Sequence, residues 1–203
     1  MKKNRISKNW INKQRRDIYV RRSKVDGYRS RSAYKLIEID EKFKIFKNGI
    51  SVIDLGSAPG SWSQYLSKKI KNSKIVSIDL REMEAIDNTI QVLGDFTEEK
   101  NQSKIKGFFK SNVDVVLSDM AVNTTGNKNI DSIYTGELCM EAMLFSKKIL
   151  NNDGKFISKI FMGSTFNEII TEAKLIFREV KVFKPKSSRK DSKESFIICK
   201  NLR

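Results

Sequence analysis

The chain of 203 residues contains no histidine. That absence removes histidine general bases, Ser–His and Cys–His nucleophile pairs, and most zinc sites. Its two cysteines, Cys139 and Cys199, lie far apart and show no metal-ligand spacing, so they read as reduced, buried residues of a cytosolic protein. No apolar run approaches the roughly 18–20 residues needed to cross a bilayer, and no membrane or metal is expected. The N-terminus is basic but has no apolar core, which argues against a secretory signal; acids are scarce before Asp17, so composition leaves an organellar transit peptide open. No Gly-Lys-Ser/Thr follows a glycine-rich turn, and there is no dinucleotide G-x-G-x-x-G spacing, so neither a phosphate loop nor a nicotinamide fold is signalled.

What the chain has in excess is positive charge. Lys and Arg number 40 against 24 Asp and Glu, a net +16. Thirteen of residues 1–35 are Lys or Arg and only Asp17 and Asp26 are acidic, so +11 of the excess sits there. Such density points to a polyanion, and Trp10, Tyr19, Tyr28 and Tyr34 interleaved among the charges favour nucleic acid. A solvated basic tail, or the Lys/Ile/Asn bias of an AT-rich genome, is the blander alternative.

The stretch Ser51-Val-Ile-Asp-Leu-Gly-Ser-Ala-Pro-Gly-Ser-Trp62 organises the rest. Val52–Leu55 reads as a buried strand that enters a turn with Gly56, Pro59 and Gly60. A helix follows, with Trp62, Tyr65, Leu66 and Ile70 on one face. Glycine at a strand end lets a ligand approach the backbone, and the helix start offers free N–H groups. Asp54, two residues before the first glycine, suits a cofactor carrying a positive amine, such as S-adenosylmethionine.

Further strands are expected at 74–79, 90–96, 113–121, 155–161, 180–183 and 195–199. Helices are expected at 32–46, 97–110, 136–150 and 165–178, with a polar loop over 122–135. The helix at 32–46 places Ala33, Leu36, Ile37 and Phe43 inward and Lys35 off that stripe. Alternating elements predict an α/β fold, a mainly parallel seven-stranded sheet with helices on both faces. The last two strands lack a helix between them, so they predict a hairpin and an antiparallel final strand. Ligands of such sheets sit at the carboxyl ends of the strands, where the turn after Leu55, Asp79, Asp95, Asp119 and Lys159 all fall. One domain over 31–203 is expected, preceded by a basic RNA-binding extension over 1–30.

These residues carry a resemblance. D-L-G-x-A-P-G-x-W after the first strand, S-D-M-A at the fourth and S-K-I-F at the fifth occur together. With R-S-R-S-A-Y-K-L upstream and S-R-x-x-S-x-E-S-F near the end, the chain resembles the FtsJ/RrmJ family from about Tyr19 onward. That family comprises RNA ribose 2′-O-methyltransferases of Rossmann-like fold, and its bacterial type member modifies a uridine of large-subunit (23S) ribosomal RNA. Ser61 and Val122 stand where the family usually has a second glycine and a proline.

The resemblance implies S-adenosylmethionine as methyl donor and ribosomal RNA, within the large subunit, as partner; a cytoplasmic location follows from the cysteine usage, and a monomer is the default expectation. Its Lys-Asp-Lys-Glu constellation falls on Lys35, Asp119, Lys159 and Glu194. Its cofactor contacts fall on Gly60 and Trp62 at the methionine end, Asp79 at the ribose, Asp95 near the adenine and Asp119 beside the amine. A ribose 2′-hydroxyl is a weak nucleophile, and a lysine of lowered pKa is the natural base in a chain without histidine. From the ordinary value of roughly 10.4, burial and a second lysine nearby would lower it, while Asp119 and Glu194 would hold both amines in place. The alternatives are a 2′-O-methyltransferase of transfer or other RNA, and a non-catalytic RNA-binding or ribosome-assembly protein on the same fold. A small-molecule or protein methyltransferase is disfavoured by the basic N-terminal segment.

Overall fold

The apolar runs are too short to bury themselves singly, and they join in one sheet. The computed structural model of the chain describes residues 16–122 and 127–203. Its strands are β1 (Ser51–Leu55), β2 (Lys74–Asp79), β3 (Thr89–Leu93), β4 (Val113–Ser118), β5 (Leu150–Phe161), β6 (Phe177–Phe183) and β7 (Glu194–Leu202). They lie in the order β3-β2-β1-β4-β5-β7-β6. The first five pair in parallel, and β7 runs antiparallel between β5 and β6. The strand order reverses between β1 and β4, which is where open sheets of this kind leave a crevice.

The described helices are α1 (Ile18–Val25), α2 (Ala33–Phe43), α3 (Ser61–Lys69), α4 (Glu99–Gly107), α5 (Lys128–Ile149) and α6 (Phe166–Ile176). Side-chain alternation along the strands divides the core in two. Val52, Val115, Leu117, Ile157, Phe196 and Ile198 face α2 and α3, meeting Leu36, Ile39, Trp62 and Leu66. Leu55, Val116, Phe156, Ile160 and Cys199 face the other way, against Ile105 of α4, Met143 of α5 and Ile169 of α6. Among the described residues, no helix is long and apolar enough to cross a membrane.

Several boundaries differ from the sequence reading, and three of them have a visible cause. The loop expected over 122–135 is helical from Lys128, because the Asn127 carboxamide accepts from the N–H groups of Asn129 and Ile130 and caps the first turn. Periodicity missed this turn for a physical reason: Ser132 and Thr135 face inward while Ile130, Ile133 and Tyr134 are exposed. Strand β5, expected over 155–161, already begins at Leu150, and its pairing with β4 shifts register before Lys155. The helix expected to reach residue 46 ends at Phe43. Lys44 turns to φ 51, and the buried Asp40 carboxylate accepts from the N–H groups of Ile45 and Phe46, both at 3.0 Å. Ile39 joins Leu36 among its fully buried side chains, whereas Ile37 and Phe43 pack at the edge.

Residues 1–15 of the basic extension, with Trp10, lie outside the described residues. Residues 16–30 rest on the domain. Asp17 pairs with Arg31 and, at 3.6 Å, with Arg189, and the Gln64 side chain donates to Gly27 O and accepts from Arg29 N–H.

Candidate active site

Register places the central pair. Ser118 of β4 pairs with Ser158 of β5, so the next residues, Asp119 and Lys159, stand side by side on the face covered by α2. Lys159 Nζ donates to Asp119 Oδ1 at 2.9 Å and to Asp119 O at 2.6 Å. This accounts for a lysine that is only 7% exposed within an apolar strand.

A second pair forms beside it. Glu194 opens β7 opposite Phe161, on the same face as Lys159. Lys35, in the first turn of α2, donates to Glu194 Oε2 at 2.7 Å and lies 5.7 Å from the centre of the Phe196 ring. Ser188 Oγ donates to the other carboxylate oxygen at 2.8 Å. Four residues from four elements therefore converge as two lysine–carboxylate pairs.

Their electrostatics are shared. Burial would raise the Asp119 pKa, but Lys159 and Lys35 outweigh it and hold the carboxyl below its usual range. Burial would lower the Lys35 pKa, but Asp119 and Glu194 outweigh it and move it above the ordinary lysine value. Lys35 is thus the lysine of the site held as an ammonium. Glu194 is in direct contact with Lys35, and such contact, with Asp119 near, wins over burial and the like charge of Arg31.

The glycine turn borders this site. Asp54 on β1 is fully buried, and Ser63 Oγ donates to its Oδ2 at 2.6 Å. Burial first, with Asp119 and Asp79 adding, pushes its pKa up to about 7. Its Oδ1 is buried and finds no partner among the described residues. Asp79 accepts from the N–H groups of Ala58 and Arg81, both at 2.9 Å, and so holds the turn against the end of β2. Gly60 takes φ 103, and a Cβ there would come within 2.7 Å of Ile86 and 2.8 Å of Arg29.

These residues fit a cationic nucleoside cofactor. Asp119 and Asp79 press electrostatically on Asp54, one buried oxygen of that carboxylate is unsatisfied, and the glycine turn lies beside them. A sulfonium or an ammonium placed there would relieve the repulsion. The other two expected contacts stand differently. Trp62 is 2% exposed, its indole N–H donates to Ser32 O at 2.9 Å, and its ring packs against Phe196. Its side chain belongs to the core, and what it presents to the turn is its first-turn backbone N–H. Asp95 follows β3 on the same rim, where its Oδ1 accepts from the N–H and hydroxyl of Thr97 at 2.9 and 2.8 Å.

Sequence reasoning assigned no role to Arg29, Arg31, Glu38 or Ser188. Arg29 donates to the carbonyls of Pro59, Glu84 and Ala85 and ties the glycine turn to the loop after β2. Arg29, Arg31 and Ser188 all lie inside motifs already noted, R-S-R-S and S-R-x-x-S-x-E or its immediate neighbour, which was the available signal.

Comparison with known proteins identifies the family. The family model for FtsJ-like methyltransferases matches residues 28–202. The chain is 74% identical to ribosomal RNA large subunit methyltransferase E of Pelagibacter ubique over 203 residues, the whole of both chains. It is 47% identical to the protein of the same name from Rickettsia bellii, over 96% of this chain and 88% of that one. A crystal structure of a ribosomal RNA methyltransferase from Plasmodium falciparum superposes with a TM-score of 0.77 at 34% identity, covering 86% of this chain and 98% of that one. A Streptococcus mutans methyltransferase solved with SAH, at 13% identity and a TM-score of 0.55, shares the fold, over 82% and 97% of the two chains.

Proposed function

The chain belongs to the FtsJ-like methyltransferase family, and from that premise we propose that it methylates the ribose 2′-hydroxyl of a uridine in large-subunit ribosomal RNA, with Lys159 as general base. The relatives from Pelagibacter ubique and Plasmodium falciparum bear the names of ribosomal RNA methyltransferases, which supports this reading. S-adenosylmethionine supplies an electrophilic methyl group on a positively charged sulfur. The turn Gly56–Gly60 with Asp54, Asp79 and Asp119 would hold that cofactor, with Asp95 further along the rim.

The observation that carries the ribose reading is the double lysine–carboxylate site. A 2′-hydroxyl must lose its proton as its oxygen becomes nucleophilic, and a nitrogen base at the rim must be held to receive it. Lys159 Nζ is fixed in two directions by Asp119, through Oδ1 and the backbone carbonyl. It has one remaining position for a hydroxyl, and accepts that proton once it is itself deprotonated. Lys35 has the opposite task. Its raised pKa keeps it an ammonium, so it serves as a donor that orients the nucleotide, with Glu194 and Ser188 fixing its direction. Alignment of the two reacting atoms would supply much of the acceleration, by effective molarity rather than by a metal.

The test uses labelled S-adenosylmethionine with undermethylated large subunits, free ribosomal RNA and transfer RNA in parallel. The product is digested to nucleosides to separate ribose from base methylation. Ribose label on a uridine of the large subunit is expected. Label on a base would refute the 2′-hydroxyl assignment, and label on transfer RNA alone would refute the ribosomal target.

A further inference from the structure

The loop between β6 and β7, residues 184–193, takes no part in the proton transfer above, yet it is anchored at the mouth of the site by three side chains of one segment. Arg31, Lys35 and Glu38 follow one another at a spacing of four and three residues, along one line of α2 and the turn leading into it. Arg31 donates to Ser187 O while also pairing with Asp17. Glu38 accepts from the backbone N–H groups of Lys186 at 2.6 Å and Ser187 at 2.9 Å. Lys35 holds Glu194, where the loop enters β7, and Ser188 donates to that same carboxylate. Lys184 Nζ closes the loop on itself by donating to Ser192 O at 2.6 Å.

The loop therefore has two sides of different character. Pro185, Ser187 and Ser188 are buried against the domain. Lys186, Lys190 and Lys193 are exposed on the outer side. A loop anchored inward, with Lys186, Lys190 and Lys193 exposed against the single exposed acid Asp191, presents net positive charge on a fixed backbone at little further entropic cost on binding. Lysine ammoniums contact phosphate as point charges and carry no sequence information, so they set position rather than choose bases.

We propose that this loop is a preformed docking platform for the phosphodiester backbone of the RNA flanking the target nucleotide. The inference rests on the RNA-methylating reading above. Because Lys35 and Glu194 hold both the loop and the reactive rim, phosphates gripped by the loop fix the register of the ribose against Lys159.

The test is direct RNA binding without turnover, by filter retention of a ribosomal RNA fragment across a salt series. Three full-length proteins are compared: wild type, Lys186→Gln/Lys190→Gln/Lys193→Gln, and Lys71→Gln/Lys106→Gln/Lys110→Gln. The last removes equal charge from exposed positions on the opposite rim. Unchanged affinity for S-adenosylmethionine, read by calorimetry, shows that each variant is folded. The loop variant is expected to lose about two from the slope of log affinity against log salt, each phosphate contact contributing about 0.7–0.9. The opposite-rim variant is expected to keep the wild-type slope. A wild-type slope in the loop variant, or an equal loss in both, would overturn the platform. Since methyl placement is read separately on the digested product, failure of the ribose assignment leaves this slope untouched, and the reverse holds too.

Discussion

Asp54 should make the unliganded protein lose stability as pH rises through neutrality. Its carboxyl is fully buried, with one oxygen satisfied by Ser63 and the other unpartnered, and its pKa is pushed from 3.8 up to about 7. Between about pH 4 and pH 7 the folded state then holds a proton that the unfolded chain has released. Stability must fall with rising pH over that window, the reverse of an ion-paired carboxylate. At about 1.4 kcal/mol per pH unit for one proton, the loss between about pH 5.5 and pH 8 is about 2 kcal/mol.

The background is unusually clean. The chain has no histidine to titrate there. Asp119, with its pKa lowered, contributes stability that is lost as pH falls below about 4, and Lys35, with its pKa raised, contributes stability lost only above about pH 10. The assay is urea unfolding of wild type and Asp54→Asn at half-unit steps across this range. Asparagine keeps the shape and an acceptor for Ser63, so it carries a pH-independent penalty of about 1–3 kcal/mol for its unpaired amide. The wild-type curve should slope and the variant's should be flat. Equal slopes in the two proteins would refute the reasoning, because the titrating group would then lie elsewhere.

Further predictions concern the rim. Lys159→Ala should cut methyl transfer by about 10²–10⁴-fold while leaving cofactor affinity near wild type, read by single-turnover rates and calorimetry; lost cofactor binding in a folded variant would remove Lys159 from the role of base. Glu194→Gln should lower the Lys35 pKa, since Glu194 is among the groups that raise it. A lysine resonance titrating at unchanged pH in methyl-labelled NMR would contradict that. Gly60→Ala should destabilise the fold by about 1–3 kcal/mol and weaken cofactor binding, because φ 103 strains any residue with a Cβ and that Cβ meets Ile86 and Arg29; a wild-type melting temperature with wild-type affinity would show that the turn yields. Deleting residues 1–15 should weaken RNA binding and flatten its salt dependence, and an unaltered slope would deny that segment an electrostatic part.

Much of this protein is legible along the chain. The apolar runs that become strands, the glycine turn after β1 and the acids at the strand ends carry local signals, because a buried strand needs consecutive apolar residues and a rim acid must follow one. The absence of histidine narrowed the candidate base to lysine. The signal was weakest where side chains reverse the usual pattern, as in the first turns of α5, whose hydroxyls face in and whose apolar residues face out. Trp62 was ambiguous for a related reason, since one indole suits both a helix's core face and a ligand wall; its burial and its bond to Ser32 O decide for the core. What tertiary structure alone decided is pairing. Lys35 and Glu194 are 159 residues apart, and only strand order, the antiparallel register of β7 and the crossing of α2 bring them together. The direction of a pKa shift depends on such distances, and Lys35 is held as an ammonium because two carboxylates come close to it across that long separation.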